Sequence, residues 1–180
     1  FSGYSDMAIG VSRIFGIKIP FNFNSPYKAV SIIDFWRRWH ITLSLFLKDY
    51  LYIPLGGNRF GLRRQFFSIL ITMILGGLWH GAANTFILWG VFHGVMLILA
   101  NIWKTFKLPL PIWLSVMFTF ILVSLGWVFF RATSMEYSFN YIYGLFDFSQ
   151  NLGLILFPLE NLYHWGTLFF VGFFIVFLMP

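Results

Sequence analysis

The chain has 180 residues, of which 59% are hydrophobic, 23% aromatic and 10% charged, where a soluble domain carries roughly a quarter charged. A globule of this size cannot hide that much apolar surface, so an ordinary water-soluble domain is excluded and lipid is the solvent for most side chains. Twelve Lys and Arg against six Asp and Glu leave a formal charge of +6. In a membrane chain this excess sets topology and meets anionic headgroups, and no aromatic-basic module points to nucleic acid. Cysteine is absent, which removes disulfides, thiolate-bound metals and a thiol relay from these residues.

In chain order, the first sixty residues read as an interfacial or re-entrant segment. The stretch 31–53 holds Asp34, Arg37, Arg38, Lys48 and Asp49. Each would cost roughly 2.5 to 3.5 kcal/mol at mid-bilayer, so it is no plain lipid-facing span. At 100° per residue Trp36, Trp39, Leu43, Phe46, Leu47 and Tyr50 share one stripe, with Arg37, Arg38, Ser44, Lys48 and Asp49 opposite, the pattern of one amphipathic helix. Ile41 and Leu45 breach the polar face, so that face packs on protein as well. Pro54-Leu-Gly-Gly-Asn58 then supplies a stop and a turn.

Residues 65–103 carry no Asp, Glu, Lys or Arg. One helix of that length would run about 58 Å, nearly twice a bilayer core, so two passes are expected. The break between them is expected at 76–81, where Gly76, Gly77 and Gly81 weaken helix and allow close backbone approach or a turn. Arg59, Arg63 and Arg64 before the first pass and Lys104 and Lys107 after the second place both outer ends in the cytoplasm. A third pass reads 108–130, opened by Pro109 and Pro111 and closed by Arg131. Residues 131–164 read as a mixed loop or interfacial segment. A fourth pass starts near Trp165, stops short at Met179-Pro180, and implies a longer protein. The fold class expected is all-α and polytopic: a single membrane domain over 1–180, with the re-entrant segment at 1–60, spans at 65–132 and a loop plus truncated span at 133–180.

Histidines are the residues most able to carry chemistry. His80 lies between Trp79 and Gly81 at the expected break, where non-helical backbone is tolerated only beside protein or a water-filled cavity. It is either a functional ionisable group or a neutral imidazole capping a helix end. His40 falls at the border of the aromatic stripe and reads by pattern as a headgroup-level side chain beside Trp39. His93, one turn after Trp89, is expected to hydrogen-bond a neighbouring helix, and His164 to lie at an interface. Arg37, Arg38 and Lys48 read as a basic face on anionic lipid or as phosphate ligands for a donor such as coenzyme A. Asp34 and Arg38 form an i,i+4 pair. No metal site is expected, because neither HExxH nor a cluster of three ligands is present. Neither a P-loop nor a GxSxG elbow is found.

Longer motifs are more telling. Asp34-Phe-Trp-Arg-Arg-Trp-His-Ile-Thr-Leu-Ser44, Lys48-Asp-Tyr-Leu-Tyr-Ile-Pro-Leu-Gly-Gly-Asn-Arg59 and Gly76-Gly-Leu-Trp-His-Gly-Ala82 resemble the bacterial membrane-bound O-acyltransferases, in particular their alginate O-acetyltransferase branch. Phe1-Ser-Gly-Tyr-Ser-Asp-Met-Ala-Ile-Gly10, Trp89-Gly-Val-Phe-His-Gly94 and Gly126-Trp-Val-Phe-Phe-Arg-Ala132 extend the match, which runs collinearly over roughly 1–132. The resemblance implies a multi-helix tunnel in a bacterial cytoplasmic membrane. Acetyl from acetyl-CoA or an acyl-carrier thioester would reach a surface glycan there, with no bound cofactor and often with a periplasmic or extracellular acetyltransferase as partner. It implies that His80 is catalytic, as general base or transient acyl carrier, and that His40 is the second histidine of the reaction. Trp79, Trp39, Asn84, His93, Arg37 and Arg38 would bind substrate or line the tunnel. Relatives commonly carry Trp where this chain has Asn84, a departure that bears on pocket shape. Two readings compete: a transporter or channel subunit with a histidine relay, which predicts internal repeats that are not seen, and a secretion scaffold indifferent to both histidines.

Overall fold

The computed structural model describes residues 2–147 together with 167, 171, 172 and 177. Trp165 at the start of the expected fourth pass, His164, and the chain end at Met179 and Pro180 lie outside the described residues. Within them the chain is all-helical: α1 (Ser2–Ile14), α2 (Ile32–Arg38), α3 (Ile41–Leu47), α4 (Leu62–His80), α5 (Asn84–Phe106), α6 (Ile112–Arg131) and α7 (Met135–Phe146). A 3₁₀ turn at Pro26–Lys28 precedes α2, and a π-helical turn at Lys48–Tyr52 continues α3.

Among the described residues α5 and α6 are long and apolar enough to cross a bilayer. Their 23 and 20 residues span about 35 and 30 Å at 1.5 Å per residue. The first expected pass is α4, whose 19 residues begin with Arg63 and Arg64 in the first turn, and it does not share that apolar length.

The break between α4 and α5 falls later than the glycines suggest. Gly76 and Gly77 stay helical, and the chain turns only at Gly81 (φ 154°) through Ala83. Gly77 serves packing instead. A Cβ there would collide with the Phe86 carbonyl oxygen on α5, and one at Gly90 with the Met73 carbonyl on α4. Backbones this close gain dispersion that lipid tails cannot supply, as at other small-residue helix interfaces in membranes. Among the described residues the α4–α5 hairpin is accordingly the most extensively packed helix pair.

The amphipathic stretch at 31–53 is not one helix. It divides at Trp39-His40 into α2 and α3, and His40 takes a left-handed conformation (φ 43°, ψ 55°). The stripe read at 100° per residue therefore ends at the break. Ser31 caps α2 by accepting from the Asp34 backbone N–H at 3.1 Å, while the Asp34 carboxylate accepts from Val30 N–H at 3.2 Å and pairs with Arg38 at 3.0 Å. Buried Ile32 and Phe35 of α2 pack with Ala29 and with Val123 of α6 to form the core, flanked by Met96 and Leu97 of α5. Ile41 and Leu45, which breach the polar face, both line a cavity between α2–α3 and the α4–α5 hairpin.

The segment read as a mixed loop or interfacial segment after Arg131 contains α7, capped by Ser134, whose side chain accepts from Tyr137 N–H. Its buried Ser138 donates its hydroxyl to the Met135 carbonyl at 2.6 Å.

Candidate active site

His40 is placed by the break. A non-glycine residue with positive φ costs of order 1–3 kcal/mol and persists only where its surroundings over-determine it. Here the segment before α2 does so. Asn24 N–H donates to the Arg38 carbonyl at 3.0 Å, and Ile41 N–H donates to the Asn22 carbonyl at 2.9 Å. The Asn22 side-chain oxygen also accepts from Thr42 N–H at 3.1 Å and from the Thr42 hydroxyl at 2.6 Å. On the far side, Ser44 donates its hydroxyl to the Trp39 carbonyl at 3.1 Å. Both sides of the left-handed residue are thus tied down. Asn22 and Asn24 escaped the sequence reading; two asparagines in an aromatic stretch just before Ser25-Pro26 were the available signal.

His80 is the last residue of α4, with Gly81 turning the chain immediately after it. Its ring stands nearly perpendicular to Trp89 (5.4 Å between centroids, 88°) and Phe130 (4.9 Å, 82°), with Phe86 at 6.1 Å. Trp79 joins the two histidines: its ring lies 6.1 Å from His40 and 4.9 Å from His80, edge-on to both. Residues forty apart in sequence thus share one wall, and the two imidazoles are within electrostatic reach of each other. Burial holds the His40 pKa below its ordinary 6.5, so it is neutral at pH 7 with one N–H to donate.

A cavity of about 450 Å³ opens between α2–α3 and the α4–α5 hairpin. Arg37, Lys48 and Lys104 give it positive charge, Tyr52, Gln65 and Asn101 give it neutral donors, and Trp36, Thr72 and Met73 lie along its wall. Neither His40 nor His80 lines it. Trp36 meets Trp89 at 5.7 Å, and Trp89 meets His80 at 5.4 Å.

The remaining candidates separate. Arg37 is exposed and lines the cavity, whereas Arg38 is bound to Asp34 and does not. Trp79 is 61% exposed between the histidines. Trp39 ends α2 and stacks on Phe35 at 5.7 Å, with Trp127 at 4.8 Å. Asn84 is exposed at the start of α5. His93 is fully buried, away from the cavity wall, and accepts a hydrogen bond from Trp36 of α2 at 3.3 Å. That is the neighbouring-helix bond expected from its position, made in the core between α2 and α5.

Comparison with known proteins follows the same residues. MBOAT, the membrane-bound O-acyltransferase family, matches residues 1–139.

The chain belongs to the membrane-bound O-acyltransferase family.

It is 50% identical over 149 residues to the peptidoglycan O-acetyltransferase of Helicobacter pylori, covering 81% of this chain and 28% of that protein. It is 48% identical over 151 residues to a probable alginate O-acetylase of Azotobacter vinelandii, covering 83% and 30%. The teichoic acid D-alanyltransferase of Bacillus subtilis is 35% identical over 147 residues, covering 72% and 37%. The chain therefore spans about three tenths of the length of the curated O-acetyltransferase relatives it matches, and this family segment contains both histidines, the cavity and the α4–α5 hairpin.

Proposed function

We propose that this protein is an O-acyltransferase of a bacterial cytoplasmic membrane, moving acetyl from a cytoplasmic thioester, acetyl-CoA or an acyl-carrier thioester, to a hydroxyl of an exported polysaccharide or cell-surface glycan. The observation that carries this reading is the pair His40 and His80 held against one indole, Trp79, at a helix end and a helix break. The names of the relatives support the acceptor class, since one is named a peptidoglycan O-acetyltransferase and another a probable alginate O-acetylase.

In this reading His80 takes the acceptor hydroxyl proton as its oxygen attacks the thioester carbonyl carbon. The C–O bond forms, the tetrahedral intermediate collapses with cleavage of the C–S bond, and the imidazolium returns the proton to the leaving sulfur. Neutral His40 donates its N–H to the oxyanion of the intermediate. The donor sits in the basic cavity, its phosphates at Arg37, Lys48 and Lys104, where charge-assisted bonds favour anions. From Thr72 on the cavity wall to His80 is eight residues of α4, about 12 Å of rise, which an extended thioester arm covers past Trp36. With α4 starting at Arg63 and Arg64 and α5 ending at Lys104, the cavity opens toward the basic, cytoplasmic side of a multi-pass protein. The acetylated glycan leaves on the opposite side, where an extracytoplasmic acetyltransferase partner acts on the same polymer.

The test uses full-length protein in membranes and labelled acetyl-CoA, with transfer to extracytoplasmic glycan as the readout. His80→Ala is expected to lower transfer at least a hundredfold at unchanged abundance, and Arg37→Ala with Lys48→Ala to raise the donor KM about tenfold with kcat retained. Full transfer by His80→Ala would overturn the reading and return weight to a transporter with a histidine relay.

A further inference from the structure

His93 takes no part in the chemistry above, yet it is fully buried in the middle of α5. Its surroundings fix its tautomer. Indole Nε1–H of Trp36 only donates, so His93 Nδ1, 3.3 Å away, accepts, and the hydrogen of the neutral ring is on Nε2. Nε2 is buried with no hydrogen-bond partner among the described residues, and it points at Gly126 of α6, where a Cβ would stand 2.6 Å from it. The imidazole thus fits only because α6 has no side chain at that point. An apolar ring would fill the same space without burying an unpaired N–H. The Nδ1 bond to Trp36 is what a histidine adds here.

That bond ties α2 to α5 at a particular place. Phe35, next to Trp36, stacks on His93 at 6.3 Å and 16° on one side and on Trp39 at 5.7 Å and 15° on the other. The stack His93–Phe35–Trp39 therefore ends at the residue before His40. On α5, His93 packs against Trp89 at 4.8 Å, and Trp89 meets His80 at 5.4 Å. One side chain reaches the neighbourhoods of both histidines through a single ring layer on each side.

We propose that His93 is a positioning residue: by accepting from Trp36 it sets α2 against α5 so that His40 and His80 meet across Trp79. This rests on the acyl-transfer reading for its effect on rate, but its geometric content stands apart from it. His93→Phe keeps ring volume and removes the acceptor, whereas His93→Asn keeps an acceptor where Nδ1 stood. In full-length protein matched for membrane abundance, His93→Phe is expected to lower kcat for labelled acetyl transfer at least tenfold with donor KM within twofold, and His93→Asn to recover kcat to within threefold of wild type. Wild-type kcat in His93→Phe, or equal loss in both variants, would overturn the proposal.

A second readout needs no activity. Cysteines replacing His40 and Trp79, in a full-length background cleared of other cysteines, are joined by a short bifunctional reagent. Cross-linking is expected to slow at least threefold with His93→Phe and to recover with His93→Asn; an unchanged rate with His93→Phe would overturn the proposal. If His93→Phe does not accumulate, Trp36→Phe removes the same bond from the other side and is read by cross-linking alone, with the same two outcomes. Loss of acetyl transfer in the wild type, with the cross-linking difference intact, would sink the acyl-transfer reading and leave the positioning role standing.

Discussion

The two histidines stand side by side but are held in place by different means. His80 ends a hairpin in which α4 and α5 touch backbone to backbone through Gly77 and Gly90, so its position is set by close packing and helix length. His40 sits in a strained break whose position is set by hydrogen bonds from Asn22 and Asn24. Packing of the first kind is tolerant of polarity and intolerant of volume, and a polar clamp is the reverse. The two regions should therefore fail differently, and the difference can be measured.

The largest effect is expected in the hairpin. Gly77→Val forces a side chain into the Phe86 carbonyl and cannot be absorbed by a rotamer change, since the clash is with backbone. It should cost about 3 kcal/mol or more and show as lost membrane accumulation and a lower Tm in detergent, dragging activity with it. Normal accumulation of Gly77→Val would mean that α4 and α5 separate more easily than their contact suggests.

A smaller and more selective effect is expected in the clamp. Asn22→Ala removes the acceptor for two Thr42 donors at about 1–3 kcal/mol, and frees the left-handed residue to relax. Accumulation should persist while kcat falls about tenfold. Equal losses of stability and activity in both variants would erase the contrast between the regions.

The smallest effect concerns pH. Burial lowers the His40 pKa in the folded protein, so the unfolded chain binds this proton at a higher pH than the folded one does. The stability that neutral His40 contributes is therefore fully present above 6.5 and declines as pH falls from 6.5 through the lowered folded value. The Tm in detergent should thus hold down to about 6.5 and fall below it, and Asn22→Ala, which loosens the break, should flatten that fall. A wild-type Tm that does not change below 6.5 would mean that burial does not hold His40 neutral.

Much of the site was legible because it is written in rare residues. Trp79-His80-Gly81 lies at the end of the 76–81 window in which the break was expected, and Gly81 at φ 154° is the residue that ends α4. Gly76 and Gly77 could be read either way: a glycine weakens a helix and also permits close approach, and only the presence of α5 decides between these uses. The break at His40 could not be read at all. Local preference favours continuing the helix through Arg38-Trp-His-Ile, and the bonds that stop it come from Asn22 and Asn24, on a separate segment. His93 was readable as a buried bond to another helix, but not the identity of Trp36 as donor, nor the gap that Gly126 leaves for its ring.

By itself the sequence determined the solvent, the helical class and the two motifs that carry the histidines, because burial preference, charge cost in lipid and helix stopping act on residues near in the chain. Only the tertiary structure decided that His40 and His80 face one indole, that a basic cavity opens between α2–α3 and the hairpin, and that the amphipathic helix breaks at His40. Those features depend on contacts between segments tens of residues apart, whose energies exist only once the helices have docked.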